Sequence, residues 1–166
     1  MPVSSSIVVD RGPSYGVRMA RAAVPMRDGM HLNVTAYTPR AQGRIPAVIE
    51  LTPYTVDTAH GEGQYFPTRG VGYVVADVRG RGDSEGGFRP IVRDAQDAVD
   101  LVEWVIRQPW SDGRIVLYGG SYSGLNQWLI LGARHPAIVA ASPAAAPVNG
   151  LDIPRGGIPN AYNLKW

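Results

Sequence analysis

The chain has 166 residues, is 45% hydrophobic and carries 16 Lys and Arg against 14 Asp and Glu, enough for one globular core and too little for two ordinary domains. Its basic residues are scattered rather than gathered in a stripe, which argues against a nucleic-acid partner, and no apolar run approaches the ~20 residues of a membrane-spanning helix. The absence of cysteine excludes disulfides, thiol catalysis and Cys-ligated zinc, and three scattered histidines make no metal site.

The N-terminus, Met1 to Ser6, lacks a charged region followed by an apolar one, so no secretory leader is visible and a cytoplasmic location is expected. The first forty residues read as antiparallel strands: Ser6–Val9, Val17–Val24, and His31–Tyr37, where apolar and polar residues alternate. Arg27-Asp28-Gly29 between the last two is a tight-turn signal. From Pro46 the rhythm becomes strand and helix in alternation. Ala47–Leu51 and Gly72–Asp77 are buried strands, with a short helix expected between Thr55 and Arg69. Asp94–Arg107 is the clearest helix. Its predicted inner stripe is Ala95, Val99, Val102 and Ile106, with Asp94, Asp97 and Asp100 suiting the positive end of the helix dipole. Arg114–Tyr118 is another buried strand and Tyr122–Arg134 a helix with Leu125, Trp128, Leu129 and Gly132 on one face, stopped by His135-Pro136. Ile138–Ala141 is a last strand. Antiparallel strands followed by βαβαβ predict a doubly wound, mainly parallel α/β sheet with helices on both faces. The residues from Ala146 onward, rich in Gly, Pro and Asn, show no regular element.

Ser121 falls on the turn between the 114–118 strand and the helix that follows, in Gly119-Gly120-Ser121-Tyr122-Ser123-Gly124. That is the layout of a nucleophile elbow, in which a sharp turn exposes the serine hydroxyl and needs small residues two positions either side. Gly119 and Ser123 meet the need, although Ser123 departs from the usual final glycine.

Five stretches together resemble the cocaine esterase and X-prolyl dipeptidyl-peptidase group of α/β-hydrolases, which includes α-amino-acid ester hydrolases and glutaryl cephalosporin acylases. They are Val24–Leu32, Thr52-Pro53-Tyr54, Asp77–Gly86, Gln108–Gly113 and Gly119–Gly124 with Gln127-Trp128 behind it. The likeness spans roughly residues 20 to 145. It implies a serine hydrolase in which Ser121 attacks an ester or amide carbonyl of a small molecule or short peptide and forms an acyl-enzyme, without a cofactor. It also implies two oxyanion donors, the backbone N–H of Tyr122 and the hydroxyl of Tyr54.

In this superfamily the acid and histidine follow the serine in the chain. His135 is the sole histidine after Ser121, and a continuous helix puts it ~20 Å away. His31 sits in an early strand, and His60 lies on a loop after Tyr54. The expectation is therefore that residues 1–145 form the N-terminal portion of a catalytic domain and that 146–166 lead toward a cap. The triad acid and histidine, and a C-terminal jelly roll, would then lie beyond Trp166, leaving this chain inactive alone. The alternative is a non-catalytic α/β binding or scaffolding module. Gly80-Arg81-Gly82 is read as a structural turn with Asp77 and Arg79 paired across it rather than as a dinucleotide loop, because position 85 of the motif is Glu. Arg81-Gly82-Asp83 and the Asn33-Val34-Thr35 sequon are read as chance.

Overall fold

Strands form where the sequence runs apolar or alternates, and their order follows from which faces they must cover. A computed structural model describes residues 12–146; the candidate strand Ser6–Val9 and nearly all of the irregular C-terminal segment lie outside the described residues. Strands β1 (Val17–Pro25) and β2 (His31–Pro39) pair antiparallel with Val24 opposite Leu32. The predicted turn joins them, with Gly29 at φ 85°. β2 also pairs antiparallel with β4 (Gly72–Asp77). Beyond it every pairing is parallel: β4 with β3 (Ile45–Thr52), β3 with β5 (Ser111–Gly120), and β5 with β6 (Ile138–Ala144). The sheet order is β1-β2-β4-β3-β5-β6, the mainly parallel α/β architecture with an antiparallel start that the sequence predicts.

Side chains alternate across this sheet and build two apolar layers. On one face Leu32, Val34, Ile49, Leu51, Val74, Ala76 and Leu117 pack with α2 (Asp94–Ile106) and with Ile130 of α3 (Tyr122–Gly132). On the other, Tyr37, Val48, Tyr73 and Val75 meet Val56, Ala59 and Phe66 around α1 (His60–Tyr65). The short helix expected between Thr55 and Arg69 is therefore α1 with a 3₁₀ turn on each side. Gly63 sits inside it because a Cβ there would lie 2.7 Å from the Tyr37 ring. No helix among the described residues is long and apolar enough to cross a membrane.

Two predicted helix faces are corrected. The inner face of α2 carries Asp94, Asp97, Ala98, Leu101, Val102 and Val105, leaving Ala95, Val99 and Ile106 only partly buried. The inner face of α3 carries Ser123, Gly124, Asn126, Gln127 and Ile130, while Trp128 and Leu129 are each 37% exposed. On α2 the buried stripe is a different apolar run, Ala98, Leu101, Val102 and Val105, preceded by two buried aspartates, whereas on α3 polar groups turn inward onto partners in the sheet. Gln127 illustrates why. Its amide donates to the carbonyls of Gly119 (3.2 Å) and Ser123 (2.9 Å) and accepts from the Ser142 N–H (3.1 Å), tying α3 to β5 and β6.

Candidate active site

The chain leaves β3 toward β4 on one side and later returns to β5 on the other, so the crevice at the carboxyl ends of β3 and β5 is a topological switch point, where open α/β sheets bind ligands. Tyr54 follows the end of β3 and Ser121 follows the end of β5.

Ser121 lies between β5 and α3 with φ 54° and ψ −116°, exposed, its hydroxyl making no cap to the helix. Its N–H donates to the Ala144 carbonyl at 2.9 Å, and its carbonyl accepts from the N–H groups of Gly124 and Leu125. Such a conformation costs a non-glycine residue of order 1–3 kcal/mol and persists only where neighbours impose it. Gly119, at φ 136°, makes the turn possible: a Cβ there would lie 2.5 Å from Ser123 Cβ and 3.2 Å from a carboxylate oxygen of Glu50. Glu50 is itself half-buried and accepts from the Tyr73 hydroxyl at 2.6 Å, and desolvation pushes its carboxyl up. Thr55 (φ 77°) and Ile91 (φ 61°) are also left-handed without being glycine. Each adjoins or touches the tyrosines described next.

The Tyr122 N–H donates to the Tyr54 hydroxyl oxygen at 3.3 Å, so the predicted trio Ser121, Tyr54 and Tyr122 meets at one place. The Tyr54 N–H is anchored on Thr52 Oγ1 at 3.1 Å. The other end of Tyr122 is also engaged. Its hydroxyl accepts from the Ile91 N–H at 2.7 Å and donates to the Asp94 carboxyl, and its phenol is pushed up by burial and by Asp94. Burial likewise pushes Asp94 up to about 6. Asn126 Nδ2 donates to the Leu51 carbonyl at 2.8 Å.

The Asp77–Gly86 loop braces this end of the sheet, but the expected Asp77–Arg79 pair is not formed. Asp77 instead accepts from the Val56 N–H (2.8 Å) and Asn33 Nδ2 (2.8 Å). Arg79 bridges Asp97 and Asp28, at 2.6 and 2.7 Å. Asp77 closes β4 whereas Arg79 lies beyond it in the loop, and each is taken up by partners from other elements. Arg81 Nε donates to the Pro53 carbonyl at 3.3 Å, next to Tyr54.

The histidines stand away from Ser121. His31 opens β2, three strands from β5, ~14 Å at the usual strand spacing, and its Nδ1 contacts Glu85 at 3.1 Å. His60 packs edge-on against Tyr37, which pairs with Tyr73 near the opposite end of β4. His135, beyond the end of α3, contacts Glu103 at 2.8 Å and accepts from the Ala137 N–H, acting as the expected helix stop. Among the described residues no group of three His, Cys, Asp or Glu could hold a metal. A cavity of about 250 Å³ beside the crevice is lined by Arg79, Gly87, Arg89, Arg93 and Asp94. Glu50, Asp94 and Asn126 escaped the sequence reading. Asp94 was visible only as one of three acids at a helix start.

The family described as X-Pro dipeptidyl-peptidase (S15 family) matches residues 28–166. Cocaine esterase from Rhodococcus sp. (strain MB1 Bresler) is 39% identical over 111 residues, 63% of this chain and 19% of that protein. A CocE/NonD family hydrolase from Staphylococcus aureus superposes with a TM-score of 0.72 at 25% identity, covering 77% of this chain and 27% of the other. An α-amino acid ester hydrolase superposes with a TM-score of 0.69 at 25% identity, covering 89% and 28%. The chain thus spans about a fifth to a quarter of the length of these relatives.

Proposed function

Since the chain belongs to the X-Pro dipeptidyl-peptidase (S15) family, we propose that Ser121 is the nucleophile of a serine hydrolase cleaving an ester or amide of a small molecule or short peptide. The observation that carries this reading is the 3.3 Å contact between the Tyr122 N–H and the Tyr54 hydroxyl beside an exposed, strained serine. A substrate carbonyl oxygen placed there accepts from both groups. As Ser121 Oγ bonds to the carbonyl carbon, its proton passes to a base and the carbonyl electrons move onto the oxygen. Collapse of that oxyanion expels the alcohol or amine with a proton and leaves the acyl-enzyme, which water cleaves by the same steps. Residues 1–145 are then the first portion of the catalytic domain, and 146–166 lead toward a cap. In this reading the base is not one of this chain's three histidines, since His31 and His135 each contact a glutamate and His60 packs edge-on against Tyr37, and the histidine and its acid come from outside this chain.

Two expectations follow. The 166-residue chain alone reacts slowly with a fluorophosphonate probe and hydrolyses a nitrophenyl ester at no more than the residual ~10³–10⁴ over water that binding and an oxyanion hole supply. The full-length protein is labelled stoichiometrically at Ser121. Rapid labelling of the chain alone would show that a base resides within it, and full-length protein that resists labelling at Ser121 would establish the rival reading of a non-catalytic α/β module. In the full-length protein Tyr54→Phe lowers kcat by ~10²–10³ with KM little changed. An unaltered kcat would return Tyr54 to a packing role.

A further inference from the structure

The Gly80-Arg81-Gly82 turn after β4 is moulded at both glycines. A Cβ on Gly80, at φ 72°, would run into the Phe88 backbone, and one on Gly82, at φ 53°, into the Asp77 carboxylate. Neither place admits a side chain, so Arg81 alone projects one from the turn. The backbone around it is fixed. The Gly80 N–H donates to the Glu85 carbonyl, the Arg81 N–H donates to the Val78 carbonyl, and the Arg81 carbonyl accepts from the Ser84 N–H, each at 3.0 Å. From this base the Arg81 side chain reaches two walls of the crevice. Its Nε donates to the carbonyl of Pro53, the residue before Tyr54, at 3.3 Å. Its guanidinium lies 4.9 Å from the centre of the Phe88 ring, and Phe88 packs in turn against the Tyr122 ring, with centroids 6.2 Å apart. We propose that Arg81 is a positioning residue that sets the gap between the Tyr54 hydroxyl and the Tyr122 N–H.

That gap needs a support independent of the contact across it. In the free protein the Tyr122 N–H donates directly to the Tyr54 hydroxyl oxygen. A substrate carbonyl oxygen takes both hydrogens, and the contact is given up just when the donors must already be in place. Tyr122 is held from behind, because it opens α3 and its hydroxyl accepts from the Ile91 N–H at 2.7 Å. Tyr54 follows the end of β3, and its Thr52 anchor is local, two residues back. Arg81 adds a tie from a different loop, 28 positions from Pro53 in sequence. A planar guanidinium suits the task, since its edge donates to a carbonyl while its face lies over an aromatic ring.

The proposal rests on the reading of Tyr54 and Tyr122 as oxyanion donors, so its test runs both with and without turnover. In the full-length protein Arg81→Met, which keeps an unbranched side chain beside Phe88 but no donor, should lower kcat toward a nitrophenyl ester by ~10–10² with KM little changed. Arg81→Lys, which keeps a donor for the Pro53 carbonyl, should lose less, and it carries the same comparison if the methionine protein fails to fold. In a Tyr54→Phe background no hydroxyl is left to position, and Arg81→Met should cost less than about threefold; a residue that only stabilises the fold would cost the same in both backgrounds. In the 166-residue chain the Tyr122 N–H should exchange with solvent faster in Arg81→Met, because its acceptor is released. In Tyr54→Phe that exchange should be the same with or without Arg81. Equal kcat losses in the two backgrounds, an unchanged kcat in Arg81→Met, or Tyr122 exchange indifferent to Arg81 would overturn the proposal. Ser121 left unlabelled by a fluorophosphonate, with the Arg81-dependent exchange intact, would instead refute the hydrolase reading alone.

Discussion

Replacing Ser121 with alanine in the full-length protein is expected to lower kcat toward a nitrophenyl ester by about 10⁶-fold, the loss seen when a triad serine is removed, while KM changes far less. Ser121 contributes no hydrogen bond to its helix, so its side chain has no structural duty to lose. The same position should separate activity from stability. Alanine keeps the Cβ that makes φ 54° and ψ −116° costly, so its urea midpoint should match the wild type. Glycine removes that cost, worth ~1–3 kcal/mol, against an entropic penalty of ~0.5–1 kcal/mol, and should stabilise by about 1 kcal/mol. A full-length Ser121→Ala protein with wild-type kcat would remove the serine from the mechanism. A Ser121→Gly protein no more stable than Ser121→Ala would show the turn to be unstrained.

Gly119→Ala should be strongly damaging for so small a change, costing about 3 kcal/mol by denaturant unfolding. Two penalties add: a φ of 136° that L side chains rarely adopt, and a Cβ placed 2.5 Å from Ser123 Cβ, inside a well-packed turn above half-buried Glu50. The neighbouring Gly120→Ala is the control. Its nearest new contact would be the Ala144 carbonyl at 3.7 Å, an ordinary distance, and the change should stay within about 1 kcal/mol. Equal losses at both positions would mean that helix or strand propensity, and not the shape of the elbow, governs the site.

The sheet was legible because its strands announce themselves as apolar runs or alternations, and the change of rhythm at Pro46 marks where parallel pairing begins. β2 departs in one respect. It reads as half-buried, yet it lies between β1 and β4 with both faces covered, so nearly all of it is interior. The helices were located well and oriented poorly. A hydrophobic period assumes that the inner face is apolar, whereas α2 turns Asp94 and Asp97 inward and α3 turns Ser123, Asn126 and Gln127 inward. These polar groups hold the crevice together, so the residues that matter most to the site are those that hydropathy assigns to solvent. The meeting of Tyr54 with Tyr122 joins positions 68 apart. It depends on β3 and β5 becoming neighbours, which no local spacing encodes, and family resemblance alone brought the two together in advance.

β6 pairs along one flank with β5 and presents much of its surface to water, with Val139 59% exposed. The ladder that holds it is indifferent to the origin of the next strand. A segment tethered nearby competes for that flank at an effective concentration on the order of millimolar, and so displaces a free copy present at micromolar levels.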